Sequence, residues 1–311
     1  MKIGISGGAG FIGSNLAERL LGSNHEVFIF DNLQTGNLKN LDGLNSTLFS
    51  GDLRDRDAVD SFFKVTEIEY FVHLGALGSV PRSISDPRSS FDSNAVATLN
   101  VLEAVKLNHV PILFTSSSSV YGKNTALPKR ERDWLSPISP YAAAKLAAEN
   151  LMLAYRESFD IQTIVFRLFN VYGRRQGIDS EYAAVIPKWI MAAFKHEPLI
   201  VYGDGEQMRD FTYVDDVTKV LQDAIELHYD KDYPVNLAFG QPVRLIELLE
   251  VFKEYFGHLN IVFRETRRGD IKNSEANPSQ LSELLKREFV VTPIRTGLIE
   301  TFEWYKKTYG F

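Results

Sequence analysis

The chain has no cysteine, so it can build neither a disulfide framework nor a thiolate metal site; this suits a reducing compartment. His73 has no metal-ligand partner spaced near it and reads as a packed histidine at a strand end, so no metal is expected. No apolar run approaches the roughly 20 residues needed to cross a bilayer, and the N-terminus reads as a core strand, not a signal peptide. The net charge of -6 offers no footprint for nucleic acid or an anionic membrane, and the mixed-sign run KRERD at Lys129 to Asp133 reads as a solvated loop. Internal repeats and low-complexity segments are missing as well. These absences make the cytoplasm the expected location. What is present is enough for a substantial core: 311 residues, 44% of them hydrophobic, long enough for one large α/β domain and a smaller partner.

The first thirty residues carry a dinucleotide-binding pattern. Lys2 to Ser6 reads as a short apolar strand, GGAGFIG at Gly7 to Gly13 as a turn, NLAERLL at Asn15 to Leu21 as a helix, and HEVFIFD at His25 to Asp31 as a second strand. In such a βαβ unit Gly7 makes the tight turn, Gly10 lets a pyrophosphate approach the backbone, and Gly13 allows close helix-to-strand packing. Asp31, at the end of the second strand, suits a ribose diol and repels a 2′-phosphate, which favours NAD over NADP. Asp52 and Leu53, in FSGDLRD, are expected against the adenine, and YFVHLGAL at Tyr70 to Leu77 is a buried strand running into a loop of small residues. The expected cofactor contacts are Gly7, Gly10, Phe11, Ile12, Gly13, Asp31, Asn32, Asp52, Leu53, Leu74 and Ala76.

YAAAK at Tyr141 to Lys145 places a phenol and an ammonium four residues apart, on one face of a helix. A nearby cation favours phenolate, so Lys145 and an oxidised nicotinamide are expected to lower the Tyr141 pKa and make it a base. Upstream, VPILFTSSSSVYG at Val110 to Gly122 begins as a buried strand and ends in a loop rich in hydroxyls, which a doubly wound sheet puts at the carboxyl edge where ligands bind. Further on, TYVDDV precedes a helical pattern, with Asp215 and Asp216 expected to cap it.

Together GGAGFIG, Asp31, Asn94, SSSSVYG and YAAAK resemble the extended short-chain dehydrogenase/reductase superfamily over almost the whole chain. The resemblance implies a parallel doubly wound Rossmann sheet with a smaller mixed C-terminal substrate domain, a Ser117–Tyr141–Lys145 catalytic set, and Asn94 among the cofactor contacts. Nucleotide-sugar 4,6-dehydratases of the superfamily carry Asp and Glu where this chain has Ser118 and Ser119, so the simpler expectation is hydride removal at C4 and its return. RLFNVYGRRQ, YAAVIPKWI, VYGDGEQMRDFTYVDDV and RRGD are similar to the nucleotide-sugar elements of UDP-hexose 4-epimerases. Their match implies Arg209 and Arg267 on a diphosphate, Asn170 as a neutral donor, Val185 to Pro187 at the uracil edge, and Tyr202 and Asp204 flanking the uridine. Asp270 belongs to the same RxGD element.

LGSVPRSISDP and GRRQ resemble the subgroup acting on UDP-N-acetylhexosamines or their uronic acids, with Ser79, Arg82 and Ser83 near the sugar. Four residues after Asp270, where a bulky Tyr excludes an N-acetyl group in related 4-epimerases, stands Ser274, and its small side chain implies room for one. Phe239 occupies a normally small position and is expected to reshape an edge of the site. The activity implied is NAD-dependent C4 inversion of a UDP-hexose through a transient 4-keto sugar and bound NADH. The alternatives are a decarboxylase, dehydratase or ketoreductase on the same scaffold, or a non-catalytic NAD sensor. Residues 1–167 with about 211–238 are expected to form the NAD domain, and about 168–210 with 239–311 the nucleotide-sugar domain. Helices over Asn94 to Asn108 and Tyr141 to Ser158 imply a homodimer through a four-helix bundle.

Overall fold

In a computed structural model of the chain, residues 1–178, 184–266, 273–285 and 289–311 are described. Arg267 and Asp270 lie outside them. Six strands lead the sheet: β1 (Lys2–Ser6), β2 (Glu26–Asp31), β3 (Thr47–Ser50), β4 (Tyr70–His73), β5 (Ile112–Ser117) and β6 (Thr163–Leu168). With Val235–Leu237 they form a seven-stranded sheet in the order Val235–Leu237, β6, β5, β4, β1, β2, β3. Every pairing in it is parallel, so the fold is a Rossmann-type α/β sheet whose order reverses between β1 and β4.

The strands are almost wholly apolar because both faces are covered. On one face Leu16, Ala17 and Leu20 of α1 (Phe11–Gly22) pack with Val217, Leu221 and Ala224 against Ile3, Ile5 and Ile29. On the other, Phe62 and Phe63 of α2 (Arg56–Thr66) join Val101 and Val105 of a helix at Ala97–Asn108, and Ala148 and Met152 of a helix at Pro140–Phe159, over Phe71, Phe114 and Val165. A separate core gathers Trp189, Ile190, Leu248, Phe252, Leu298, Phe302 and Tyr305 from three later helices around Leu199 and Val201. Beside it lies a small mixed sheet in which Met208–Asp210 pairs antiparallel with Pro242–Arg244 and parallel with Asn273–Ser274. Leu281, Leu284 and Leu285, late in the chain, pack back into the first core.

Several local expectations change. The run at Lys129 to Asp133 is not a solvated loop: Lys129 and Glu131 are buried, because Lys129 N–H donates to the Glu275 carbonyl (2.8 Å) and Glu131 Oε1 accepts the Asn236 N–H (2.9 Å). Asp215 and Asp216 sit in the first turn of the helix Val214–Glu226 without capping it; Asp215 pairs with Arg174 (3.1 Å) and Asp216 accepts from Thr292 N–H and Oγ1 (2.9 Å each). Phe239 stacks on Phe289, ring centres 5.0 Å apart, on the side of the first core and not at the cleft. The helix expected from Asn94 opens with a π turn over Asp92–Val96 before Ala97–Asn108. His73 is a packed histidine, bonded to Ser6 Oγ (2.7 Å) and Thr98 Oγ1 (3.0 Å).

Candidate active site

A cleft of about 1200 Å³ runs along the carboxyl ends of the parallel strands, where the sheet order reverses. One end is built from the glycine-rich turn. Gly7 has φ +71°, and a side chain there would meet the Gly75 backbone at 2.9 Å; at Gly13 a Cβ would lie 2.3 Å from the Gly7 carbonyl oxygen. Glycine is thus the residue that lets α1 start against the sheet. Asp31 closes this end, accepting from Ala9 N–H (3.0 Å) and Leu33 N–H (2.8 Å). Burial raises its pKa against the pull of those two bonds. A Cβ at Gly36 would crowd Asp31 Oδ1 at 2.9 Å, a constraint that nothing in the local sequence pattern exposes.

Phe11, Ile12, Asn32, Asp52, Leu53, Leu74 and Ala76 line the same end. Asp52 accepts from Asn32 Nδ2 (3.0 Å) and from Arg54 Nη2 (2.6 Å), and the guanidinium holds its carboxyl far below the usual range. Asn94 stands elsewhere. It is buried in the π turn, accepts the Leu77 N–H (3.1 Å) and donates to the Ser90 carbonyl (2.7 Å), so it shapes the loop after β4 instead of lining the cleft.

Midway along the cleft Ser117, Ser118, Ser119, Tyr141 and Lys145 come together. Ser117 ends β5 and caps the following 3₁₀ turn, accepting from Ser119 N–H (3.2 Å) and Ser119 Oγ (2.9 Å). The helix Pro140–Phe159 begins with Ser139, whose Oγ accepts the Ala142 N–H (3.2 Å), and with Pro140 in the first position. That start puts Tyr141 in the first turn and Lys145 one turn further along the same face. Burial dominates at Tyr141 and raises its pKa, against the opposing pull of the neighbouring Ser117 hydroxyl. The expected pull from Lys145 is not part of this balance, for the ammonium donates to the Thr115 carbonyl (2.7 Å) and lies 4.5 Å from the Phe114 ring centre. Burial pushes Lys145 itself down to about 7, opposed by Glu149 one turn on. Glu149 is in turn held by Arg167 through bonds of 2.6 and 3.1 Å, a buried pair that reading the chain locally missed.

Toward the other end Ser79, Arg82, Asn170, Arg209 and Ser274 line the cleft, and Ser274 pairs with Arg209 across the small sheet. An adjoining hollow of about 300 Å³ is bounded by Asn170, Val185, Tyr202 and Arg209, with Val185 opening a helix. Two expected residues fall outside both spaces. Ser83 is buried and donates to the Val80 carbonyl (2.7 Å), and Asp204 is exposed, bonded to the Glu206 N–H (3.0 Å). Lys129, Arg175 and the stretch Thr35 to Asn37 also line the cleft and were not foreseen.

The profile of the NAD dependent epimerase/dehydratase family matches residues 3–238. The chain belongs to that family. It is 34% identical to a putative UDP-glucose 4-epimerase of Methanocaldococcus jannaschii, over 86% of this chain and 87% of that one. It is 31% identical to UDP-glucuronic acid decarboxylase 1 of Xenopus tropicalis, over 98% of this chain and 72% of the relative. Among solved structures, a UDP-N-acetylglucosamine 4-epimerase from Methanobrevibacter ruminantium in complex with UDP-N-acetylmuramic acid superposes with a TM-score of 0.93 at 35% identity, covering 99% and 98% of the two chains. The protein is an enzyme of this NAD-dependent family, with NAD as its cofactor. The cleft fits that group: Gly7, Gly10 and Gly13 have no room for a Cβ and leave the backbone of the turn open to a pyrophosphate, and each Asp31 oxygen, with one N–H bond, keeps a lone pair for a ribose hydroxyl.

Proposed function

We propose that the enzyme inverts C4 of a UDP-hexose, with UDP-N-acetylhexosamines or their uronic acids as substrates. The observation that carries this is that Ser117, Tyr141 and Lys145 line one stretch of the cleft with no acid of a described residue beside them for elimination. Among the described residues the carboxylates lining the cleft are Asp31 and Asp52, both at the glycine-rich end. Bound NAD supplies a positively charged, reversible hydride acceptor. Tyr141 Oη takes the proton of the sugar 4-hydroxyl as C4 gives up its hydride, and Ser117 Oγ hydrogen-bonds the same oxygen. The product of this half is a 4-keto sugar. Arg209, with Arg267 beyond the described residues, holds the diphosphate while the ring turns about its phosphate linkage. Tyr141 then returns the proton as hydride reaches the opposite face.

In this proposal Gly7, Gly10 and Gly13 cradle the pyrophosphate, Asp31 binds the ribose diol, and Lys145 orients the nicotinamide ribose. Val185, Tyr202 and Asn170 hold the uridine in the adjoining hollow, and the small Ser274 leaves space for an N-acetyl group. Residues 1–167 with 211–238 form the NAD unit, and 168–210 with 239–311 the nucleotide-sugar unit. Two chains pair through the helices around Asn94 to Asn108 and Tyr141 to Ser158.

Proton NMR of products from UDP-GlcNAc and UDP-GlcNAcA tests the reaction, since epimerisation alone conserves mass. Tyr141→Phe should lower kcat by about 10³-fold or more and leave UDP-sugar affinity nearly intact; near-normal turnover would refute the assignment. The match to a UDP-glucuronic acid decarboxylase along nearly all of this chain favours one rival. Loss of carbon dioxide from a uronate substrate would identify it.

A further inference from the structure

We propose that Lys129 recognises a carboxylate carried by the sugar, so that the cleft prefers UDP-hexuronic acids to their neutral counterparts; this rests on the UDP-sugar reading of the cleft. Lys129 is only 5% exposed, yet it lines the cleft beside Tyr121 and Gly122, at the wall that follows Ser117. Its backbone is pinned on both sides. The N–H donates to the Glu275 carbonyl (2.8 Å), and the carbonyl accepts from Asn277 N–H (2.8 Å) and Asn236 Nδ2 (3.0 Å). The fold thus places this lysine next to the strand that carries Ser274.

The ammonium donates to the Asn124 carbonyl and lies 6.0 Å from the Tyr121 ring centre. No carboxylate of a described residue forms an ion pair with it. The acids of its own loop are committed elsewhere, Glu131 Oε1 to the Asn236 N–H (2.9 Å) and Asp133 Oδ2 to the Arg130 N–H (2.8 Å). A buried cation with donors to spare and no ion pair is costly unless an anion completes it. Burial lowers its pKa, and the charge of Asp133, too far for an ion pair, offsets that only in part. The diphosphate is a poorer candidate for that anion, because the forked guanidinium group of Arg209 lines the same cleft and suits it better. A carboxylate on the ring, held beside Ser117 to Ser119, remains.

Calorimetric titration of the NAD-loaded protein with UDP-glucuronate and UDP-glucose tests this without requiring turnover. Lys129→Met should weaken UDP-glucuronate by about tenfold or more and leave UDP-glucose within about twofold, the loss expected for one charge-assisted bond. Lys129→Arg should retain the preference, and its melting temperature shows whether the loop still folds. Equal weakening of both ligands would mean that Lys129 serves the diphosphate or the loop, and unchanged affinities would mean that it meets no ligand; either overturns the inference. If wild-type protein binds neither ligand, the UDP-sugar reading itself fails, an outcome distinct from loss of preference alone.

Discussion

Gly13 shows how little freedom single positions of the cleft have. Its missing side chain is required by the backbone of the same turn, 2.3 Å from where a Cβ would stand, so Gly13→Ala cannot be relieved by a rotamer change. The variant should lose at least about 2 kcal/mol of stability and bind NAD more weakly, measurable by urea unfolding with and without NAD. Tyr141 illustrates the opposite case. Its identity and spacing from Lys145 could be read directly, but its ionisation could not: local spacing brings an ammonium to the same helix face, whereas the strand beneath draws that ammonium to the Thr115 carbonyl. Burial then sets both groups, the phenol upward and the lysine down to about 7.

At the level of strands and helices, β4 and the pair between the Pro140–Phe159 helix and β6 carry polar groups into the core. His73, at the end of β4, is pushed down to about 3 by burial, against about 6.5 in an unfolded chain. Between those values the unfolded chain takes up a proton that the folded one refuses. The stability from this site is therefore full above pH 6.5 and is lost as pH falls toward 3, by up to about 5 kcal/mol. His73→Asn should flatten that acid limb, compared by urea midpoints at pH 7 and pH 4. Glu149 and Arg167 are almost fully buried and hydrogen-bonded to each other. Arg167→Met alone should cost about 3–5 kcal/mol by stranding the carboxylate, while Arg167→Met with Glu149→Leu should recover much of it, as a double-mutant cycle of unfolding energies would show. Neither residue stands out locally, because their partnership joins a helix to a neighbouring strand.

For the whole molecule, the face bearing Phe91, Val96, Leu99 and Leu107 leaves large apolar side chains exposed, along the helices proposed to pair two chains. Leu99→Glu with Phe91→Ser should shift sedimentation from dimer to monomer while leaving the circular dichroism spectrum of the fold unchanged. The parallel sheet was legible because strands buried on both faces read as short apolar runs between helical periods, and the glycine turn follows the first of them. The return of the Glu275 to Asn277 stretch onto Lys129 was not, since that contact joins residues far apart in the chain.

Residue type and short spacing sufficed to specify the dinucleotide turn, the acid at the end of β2 and the Tyr141–Lys145 pair, because backbone sterics and helical periodicity act over a few residues. Long-range packing alone turned a charged run into a cleft wall, withdrew Asn94 and Ser83 from the cleft, and set Lys145 near neutrality. Burial and counterion supply depend on which distant segments fold over a group, and no local pattern encodes that.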